Sequence, residues 1–245
     1  MEWTCVDIAK MIDHSLLKPE LTEDEIIRGC EIAKKYDVAS VCCAPSALPS
    51  VAKQLKGTEV KPTTVIGFPH GYNKTETKVF EAKQAIKDGA LEIDMVLNIG
   101  RLKSRDFDYV RQDIKAVVDI AHKSNVLVKV ILENFYLTDE LKEIACKLCE
   151  EAGADWVKTS TGFAGGGATI EDLRLMRKAV SNKVQVKAAG GVRDLDMALK
   201  VREVGCTRFG ATATAAIMDE CYKKVKSKKE KGKNKKKGTW FSGGR

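Results

Sequence analysis

Residues 155–188 read DWVKTSTGFAGGGATIEDLRLMRKAVSNKVQVKA, and this stretch contains one complete strand–helix–strand unit. A short strand-like run at 155–159 is followed by a glycine-rich loop, by Thr169 and by apolar residues at helical spacing, and a second such run begins at 184. Short apolar runs predict buried strands, and the i, i+3, i+4 spacing predicts an amphipathic helix. The stretch therefore predicts two parallel strands joined by a crossover helix.

The same alternation of strand and helix patterns occurs eight times along the chain. The runs that predict strands are 11–16, 38–43, 63–68, 91–97, 126–132, 155–159, 184–188 and 207–209. Helix starts are predicted by Thr22 with Glu25, Asn73 with Glu76, Thr138 and Thr169, and helix ends by Gly89, Gly153 and Gly205. Eight such units favour an α/β fold of the (β/α)₈ TIM-barrel type, whose active site lies at the carboxyl ends of the strands. A doubly wound sheet would carry Gly-x-Gly-x-x-Gly after its first strand, where this chain has Asp13-His14-Ser15.

Charge divides the chain into two parts. Of 245 residues, 44% are hydrophobic and 31% are charged, which excludes a disordered, fibrous or collagen-like protein. Residues 223–245 carry ten Lys and one Arg against one Glu, whereas residues 1–222 carry 31 basic and 33 acidic groups, a net charge of −2. We predict a single barrel domain at 1–222 and a disordered, Lys-rich tail at 223–245 that is either solubilising or an interaction tail.

The sequence also indicates a cytoplasmic location. No uncharged run approaches the ~20 apolar residues of a membrane span, and the N-terminus lacks the pattern of a secretory signal. All eight cysteines are therefore expected to be reduced thiols. Cys146 and Cys149 form a Cys-x-x-Cys pair without a second pair or a neighbouring His, so we interpret them as buried thiols rather than as a metal or redox site.

Charged residues occupy positions predicted to face the barrel interior. Alternation places Lys158 with Trp156, Lys187 with Gln185, Asp94 with Glu92, and Lys129 with Glu133 on inner faces. A structural ion-pair network of Lys129 with Glu133 or Glu92 is one interpretation, since buried charges require partners.

Lys158, Lys187 and Asp94 differ from the other interior charges because each ends its strand, on the catalytic face of a barrel. An ammonium neighbour disfavours a second charge, so one lysine is expected to have a lowered pKa. A neutral lysine attacks carbonyl carbon to form a Schiff base. The alternative, a paired structural lysine, stays open on spacing alone.

Glycines flank the two lysines at strand ends. Gly162 follows the sixth predicted strand, Gly190 and Gly191 follow the seventh, and Gly210 follows the eighth. Such loops let backbone N–H groups approach an anion, and barrels often bind phosphate after strands seven and eight. A single glycine would indicate a tight turn, whereas this grouping predicts a phosphate site.

Four segments carry a resemblance to a known family: IDHSLLKP at 12–19, EIDMVLNIG at 92–100, VKTSTGF at 157–163 and VKAAGGVR at 186–193. The chain resembles the deoxyribose-phosphate aldolases over residues 8–218, with the tail outside the resemblance. The resemblance implies a class I aldolase without a metal or other cofactor. Such an enzyme interconverts 2-deoxy-D-ribose 5-phosphate with acetaldehyde and D-glyceraldehyde 3-phosphate, in the cytoplasm, during deoxyribonucleoside breakdown. It also implies small-molecule partners, no membrane, and a homo-oligomer with a dimer favoured.

The resemblance assigns roles residue by residue. Lys158 matches the imine-forming lysine, Lys187 the lysine that perturbs it, and Asp94 the proton-transfer carboxylate. Asp13 and Thr161 match supporting polar positions. The phosphate cradle is matched by Gly162, Gly190, Gly191, Gly210 and the residues after it. There the chain has Ala211-Thr212-Ala213-Thr214, so Thr212 replaces one of the family's serine hydroxyls and Ala213 does not replace another. Some members bring a C-terminal tyrosine to the site, and no tyrosine follows Tyr222.

Two further functions remain as alternatives. Lys223 to Lys237 are compatible with binding to nucleic acid or an acidic partner, although no base-reading motif accompanies them. An aldolase for another phosphosugar is the other alternative. Cys42, His14 and His70 follow or end strands and are expected to border the site without catalysing the reaction.

Overall fold

A computed structural model of the chain describes residues 3–237, with side chains described as far as Ser227. Eight parallel strands form a closed barrel in sequential order, and β8 pairs with β1. The strands are β1 Ile12–Leu16, β2 Ser40–Cys43, β3 Lys61–Ile66, β4 Glu92–Val96, β5 Leu127–Ile131, β6 Trp156–Lys158, β7 Gln185–Ala189 and β8 Arg208–Ala211. The predicted (β/α)₈ barrel is confirmed.

Helices surround the barrel and connect its strands. They are α1 Cys5–Ala9, α2 Glu23–Tyr36, α3 Leu48–Leu55, α4 Thr75–Lys87, α5 Ile99–Lys103, α6 Phe107–His122, α7 Asp139–Glu151, α8 Ile170–Ala179, α9 Leu195–Glu203 and α10 Thr214–Lys237. The apolar core lies between these helices and the outward faces of the strands. Among the described residues, no helix combines the length and apolarity needed to cross a membrane.

Most predicted helix boundaries agree with the structure. Thr22 and Glu25 form the capping box of α2, and the hydroxyl of Thr169 accepts a hydrogen bond from the N–H of Asp172 at the start of α8. The predicted box of Asn73 and Glu76 is wrong, because α4 begins at Thr75 and the Asn73 amide instead donates to Glu81.

The third strand lies two residues earlier than predicted. It begins at Lys61 and includes Pro62, which is tolerated near the start of a strand. It ends at Ile66 because Gly67 has a φ of +60° and its N–H donates to the carboxylate of Glu81. The periodic pattern did not indicate this turn.

The first part of the predicted tail continues a helix. The backbone of α10 runs to Lys237, and its Val225 packs against the core while Lys224 pairs with Asp196 at 3.2 Å. Lysine is a good helix former, so a helix that starts against the barrel continues through a Lys-rich sequence. The boundary predicted at 222/223 therefore falls inside α10, and residues 238–245 of the predicted tail lie outside the described residues.

Two cysteines are joined, contrary to the expectation that all eight are reduced. Cys5 in α1 and Cys221 in α10 form a disulfide across 216 residues, with their Cα atoms 5.8 Å apart. Closure of the barrel brings the first and last helices together, which the spacing of cysteines does not reveal. The other six cysteines are free and buried, including Cys146 and Cys149.

Candidate active site

Seven charged side chains from six strands meet inside the barrel. This interior ion cluster consists of Asp13, Glu92, Asp94, Lys129, Lys158, Lys187 and Arg208, all of them buried. The strand register aligns them, since Lys158 lies opposite Lys187 and Lys129 lies opposite Asp94. The predicted alternation of inward and outward residues on these strands is thus confirmed.

Asp94 bridges Lys158 and Lys187. Of the three residues expected to end their strands, only Lys158 does so, because β4 and β7 continue for two residues past Asp94 and Lys187. Its Oδ2 accepts hydrogen bonds from Lys158 Nζ and from Lys187 Nζ, each at 2.7 Å. Its Oδ1 accepts from Lys129 Nζ at 2.9 Å. Burial opposes ionisation of Asp94, but Lys129, Lys158 and Lys187 outweigh it and hold its pKa well below the usual value. Asp94 is therefore a carboxylate in contact with three amines.

The two lysines respond differently to the same surroundings. Burial lowers the pKa of Lys158, and the neighbouring Lys187 ammonium lowers it further against the attraction of Asp94. Burial also acts on Lys187, but Asp13, whose Oδ2 lies 2.5 Å from Lys187 Nζ, and Asp94 outweigh it and raise the pKa of Lys187. Lys158 is thus the lysine that more readily loses its proton, as the sequence predicts for one of the pair.

The charge balance within the interior ion cluster also favours the neutral form of Lys158. The cluster has four basic groups and three carboxylates, and Lys61 approaches Glu92 at 3.4 Å from the opposite end of the barrel. An excess buried cation has no carboxylate of its own, which favours its neutral form. Lys158 fits this description, because it shares its only carboxylate partner among the described residues with two other amines.

The other charged groups of the cluster pair mainly with one another. Lys129 Nζ lies 2.6 Å from Glu92, and Arg208 donates to both Glu92 and Asp13 at 2.6–3.2 Å. The Trp156 ring lies 5.8 Å from the Lys129 ammonium and 5.3 Å from the Arg208 guanidinium. The predicted pairing of Lys129 with Glu92 is confirmed.

The alternative pairing of Lys129 with Glu133 is wrong. β5 ends at Ile131, and Glu133 has a φ of +57°, so its side chain leaves the alternation of the strand. The carboxylate instead accepts hydrogen bonds from the hydroxyl and the N–H of Thr161, and Thr161 Oγ1 accepts from the N–H of Phe163. Glu133 is a functional candidate that sequence reasoning placed in the wrong contact.

A cavity of about 390 Å³ opens at the carboxyl ends of the strands, directly above Asp94. Nine of the ten predicted site residues line it: Asp13, Lys158, Thr161, Gly162, Lys187, Gly190, Gly191, Gly210 and Thr212. Asp94 itself lies beneath the lining. The prediction missed Ser15, Leu17, Lys18, Phe163 and Arg193, which also line the cavity. Ser15 lies near the end of β1, and the other four belong to the loops after β1, β6 and β7, whose paths the strand pattern does not specify.

The glycine-rich loops pack backbone against backbone on one side of this cavity. Gly190 has a φ of +79°, and a Cβ added to it would lie 2.9 Å from the Cα of Gly167. Any side chain at Gly190 would therefore displace the loop that follows β6. Gly162 has a φ of +88° and open space where a Cβ would point. Glycine is favoured at this position because of the backbone conformation, not because a side chain would clash.

The remaining predicted neighbours divide between the cavity and its surroundings. Cys42 lines the cavity, and burial raises the pKa of its thiol to about 11. His70 is exposed and its ring stacks on Tyr72. His14 does not line the cavity, because it points from β1 toward the helices. Among the described residues, no group of three or more His, Cys, Asp or Glu is arranged to hold a metal ion.

Comparisons with known proteins agree on one family. The model of the DeoC/LacD family aldolases matches residues 8–216. A protein of Geobacillus sp. (strain WCH70) named deoxyribose-phosphate aldolase is 54% identical over 213 residues, which cover 87% of this chain and 95% of that protein.

Two solved structures extend the agreement to the fold. A putative deoxyribose-phosphate aldolase from Coccidioides immitis superposes with a TM-score of 0.86 at 40% identity, covering 90% of this chain and 87% of that one. A deoxyribose phosphate aldolase from Aeropyrum pernix, described as a unique tetrameric structure, has a TM-score of 0.83 at 28% identity, covering 91% and 93%.

Proposed function

The chain belongs to the DeoC/LacD family of aldolases, and on that premise we propose that it cleaves 2-deoxy-D-ribose 5-phosphate to D-glyceraldehyde 3-phosphate and acetaldehyde. The reaction proceeds in both directions through a Schiff base on Lys158. Lys187 and Asp94 control the proton equilibria of that lysine, and the glycine loops bind the phosphate.

The observation that carries the proposal is the contact of one carboxylate oxygen with two lysines. Asp94 Oδ2 lies 2.7 Å from both Lys158 Nζ and Lys187 Nζ at the closed end of the cavity. Because Lys187 retains its proton and Lys158 has a lowered pKa, one amine is available as nucleophile beside one ammonium that can donate a proton.

Imine formation uses both lysines and the carboxylate. Lys158 Nζ attacks C1 of the open-chain sugar and forms a C–N bond, and Asp94 accepts the proton released from Nζ. The former carbonyl oxygen takes up a proton from the Lys187 ammonium, and the protonated Asp94 then gives its proton to the resulting hydroxyl, which leaves as water. The product is an iminium that can accept an electron pair.

Carbon–carbon cleavage follows from that iminium. A base, Asp94 acting directly or through water, removes the proton of the C3 hydroxyl, and the electron pair of the C2–C3 bond moves to C2 and the iminium. D-Glyceraldehyde 3-phosphate departs and leaves an enamine on Lys158. Protonation of the enamine at C2 and hydrolysis of the resulting iminium release acetaldehyde and restore the free amine.

Phosphate binding is assigned to the loops after β6, β7 and β8. Gly162, Gly190, Gly191 and Gly210 line the cavity with little side-chain bulk, so backbone N–H groups can approach an anion. Thr212 adds one hydroxyl, and Thr161 and Asp13 are polar groups nearer the lysines. With its phosphate bound at the rim, the sugar would present its reacting carbon to Lys158.

Trapping of the imine tests the assignment. Borohydride reduction in the presence of acetaldehyde is expected to attach an ethyl group to Lys158, detected by peptide mass spectrometry, and to abolish turnover. Lys158→Arg keeps a cation but forms no imine, so it serves as the control and is expected to remain unmodified. Modification of another lysine, or of none, contradicts the assignment.

The same proposal includes a homo-oligomer, with a dimer favoured, and a cytoplasmic location. A relative is described as a tetramer, which supports self-association of this protein without specifying how many copies of the chain associate. Light scattering of the purified chain measures that number, and a monomeric mass at micromolar concentration contradicts the expectation of an oligomer.

A further inference from the structure

A buried histidine contacts the start of the last helix from outside the barrel. His14 lies in β1, is 4% exposed, and its Nδ1 lies 2.8 Å from the hydroxyl of Thr214, which is fully buried. Burial lowers the pKa of His14 to about 4, so the ring is neutral at neutral pH and suits an uncharged hydroxyl partner. The two residues are 200 positions apart, and neither lines the cavity.

The same histidine also pairs through its backbone with the end of β8. The register of β1 and β8 places His14 opposite Ala211, the last residue of β8. Thr214 is the first residue of α10, so only residues 212 and 213 lie between β8 and the helix. His14 therefore holds both ends of this two-residue turn, one through the strand pairing and the other through its side chain.

The turn belongs to the rim of the cavity. Gly210, Ala211 and Thr212 line it, on the side where barrel enzymes commonly bind phosphate. Ala211 and Ala213 offer no hydrogen-bonding side chain, so an anion at this turn depends on backbone N–H groups and on the Thr212 hydroxyl. Backbone donors bind an anion well only when their directions are fixed before binding.

We propose that His14 is a positioning residue for the phosphate group of the substrate, and that it acts through Thr214 on the β8–α10 turn. The inference rests on the proposed function, because it assumes a phosphosugar in this cavity. It assigns His14 no contact with the substrate.

Four variants separate positioning from simple packing. Thr214→Val removes the hydroxyl at nearly constant volume, and His14→Leu removes the partner nitrogen. Thr214→Ser and His14→Asn each retain a hydrogen-bonding atom near the original position. Thr64→Val is the matched control, since the buried Thr64 hydroxyl also bonds between neighbouring strands, to the Cys43 carbonyl at 2.9 Å, away from the turn.

The measurement is the ratio of kcat/KM for 2-deoxyribose 5-phosphate to that for unphosphorylated 2-deoxyribose. We expect Thr214→Val and His14→Leu to lower this ratio about tenfold, mainly through KM for the phosphorylated sugar, as expected for the loss of one buried hydrogen bond. Thr214→Ser and His14→Asn are expected to restore at least half of the wild-type ratio, and Thr64→Val to retain it. An unchanged ratio in Thr214→Val, or an equal fall in Thr64→Val, overturns the inference.

Binding of inorganic phosphate provides a readout that does not require aldolase activity. Phosphate is expected to raise the Tm of the wild type more than that of Thr214→Val. If the wild type does not cleave the sugar but phosphate still distinguishes the two proteins, the proposed function is wrong and the role of His14 stands. If the wild type cleaves the sugar and phosphate stabilises both proteins equally, the role of His14 is wrong and the function stands.

Discussion

The interior of the barrel and the rim of the cavity are built from different parts of the chain: charged side chains on strands in the interior, and mostly glycine backbones at the rim. In the interior, side chains on strands face one another at 2.5–2.9 Å around Asp94, and fixed charges set the protonation of Lys158. At the rim, glycine backbones line the cavity, while Glu133 and His14, which do not line it, bond to Thr161 and Thr214 in adjoining segments. The buried ionisable groups thus lie on the strands, whereas the glycine-rich part of the cavity is formed mainly by loops.

Removal of the second lysine is expected to have the largest effect on the interior. Lys187→Leu removes the ammonium beside Lys158. It also removes a competing hydrogen bond to Asp94, so Asp94 stabilises the charged form of Lys158 more strongly and the pKa of Lys158 rises. Less neutral amine is then present at pH 7, and we expect kcat to fall by about a hundredfold or more and to recover as pH increases. The measurement is the pH–rate profile.

Lys187→Arg is the matched control, because it keeps a positive charge at the same position. Its profile is expected to follow the wild type more closely than that of Lys187→Leu. If Lys187→Leu keeps the wild-type profile, burial alone tunes Lys158 and the charge of Lys187 has another role.

Removal of the disulfide between α1 and α10 tests whether this contact outside the barrel raises the free energy of unfolding without affecting activity. Cys5→Ser with Cys221→Ser is expected to lower the free energy of unfolding by about 5 kcal/mol, because the bridge closes a loop of most of the chain. Activity at 25 °C is expected to stay near that of the oxidised protein. Urea unfolding measures the first quantity, and equal stabilities of the two proteins contradict the prediction.

Substitution of Glu133 tests whether its hydrogen bonds to Thr161 support the rim of the cavity. Glu133→Leu leaves the Thr161 hydroxyl and N–H without their acceptor, and kcat/KM is expected to fall about tenfold. Glu133→Gln keeps a carbonyl oxygen at the same place and is expected to retain most of the activity. Similar losses in both variants would mean that the negative charge, rather than the hydrogen bonds to Thr161, is required.

Truncation of the C-terminus is expected to have the smallest effect on activity. A chain ending at residue 227 keeps Val225 against the core and the pair of Lys224 with Asp196, so its activity is expected to stay within about twofold. A chain ending at residue 222 loses both contacts, and its unfolding free energy is expected to be lower by about 1–2 kcal/mol. A large loss of activity in the longer truncated chain would assign the removed lysines to the site.

The sequence by itself determined the barrel and about half of the residues that line the cavity. Alternation along strands is a local property, and it placed Lys158, Lys187 and Asp94 on inner faces correctly. Strand ends marked by glycine were sufficient to predict Gly162, Gly190, Gly191 and Gly210 at the cavity. Local capping also predicted the starts of α2 and α8.

Only the tertiary structure decided which groups meet. Asp94 contacts Lys158 and Lys187 through closure of the barrel, which joins positions 64 and 93 residues away in the chain. Glu133 turns to Thr161 because one residue with positive φ breaks the alternation, and no periodic pattern contains that turn. Cys5 meets Cys221, and His14 meets Thr214, because the last helix returns to the first strand and helix. Periodicity specifies the face on which a residue lies, whereas partners depend on distances between elements that only the folded chain establishes.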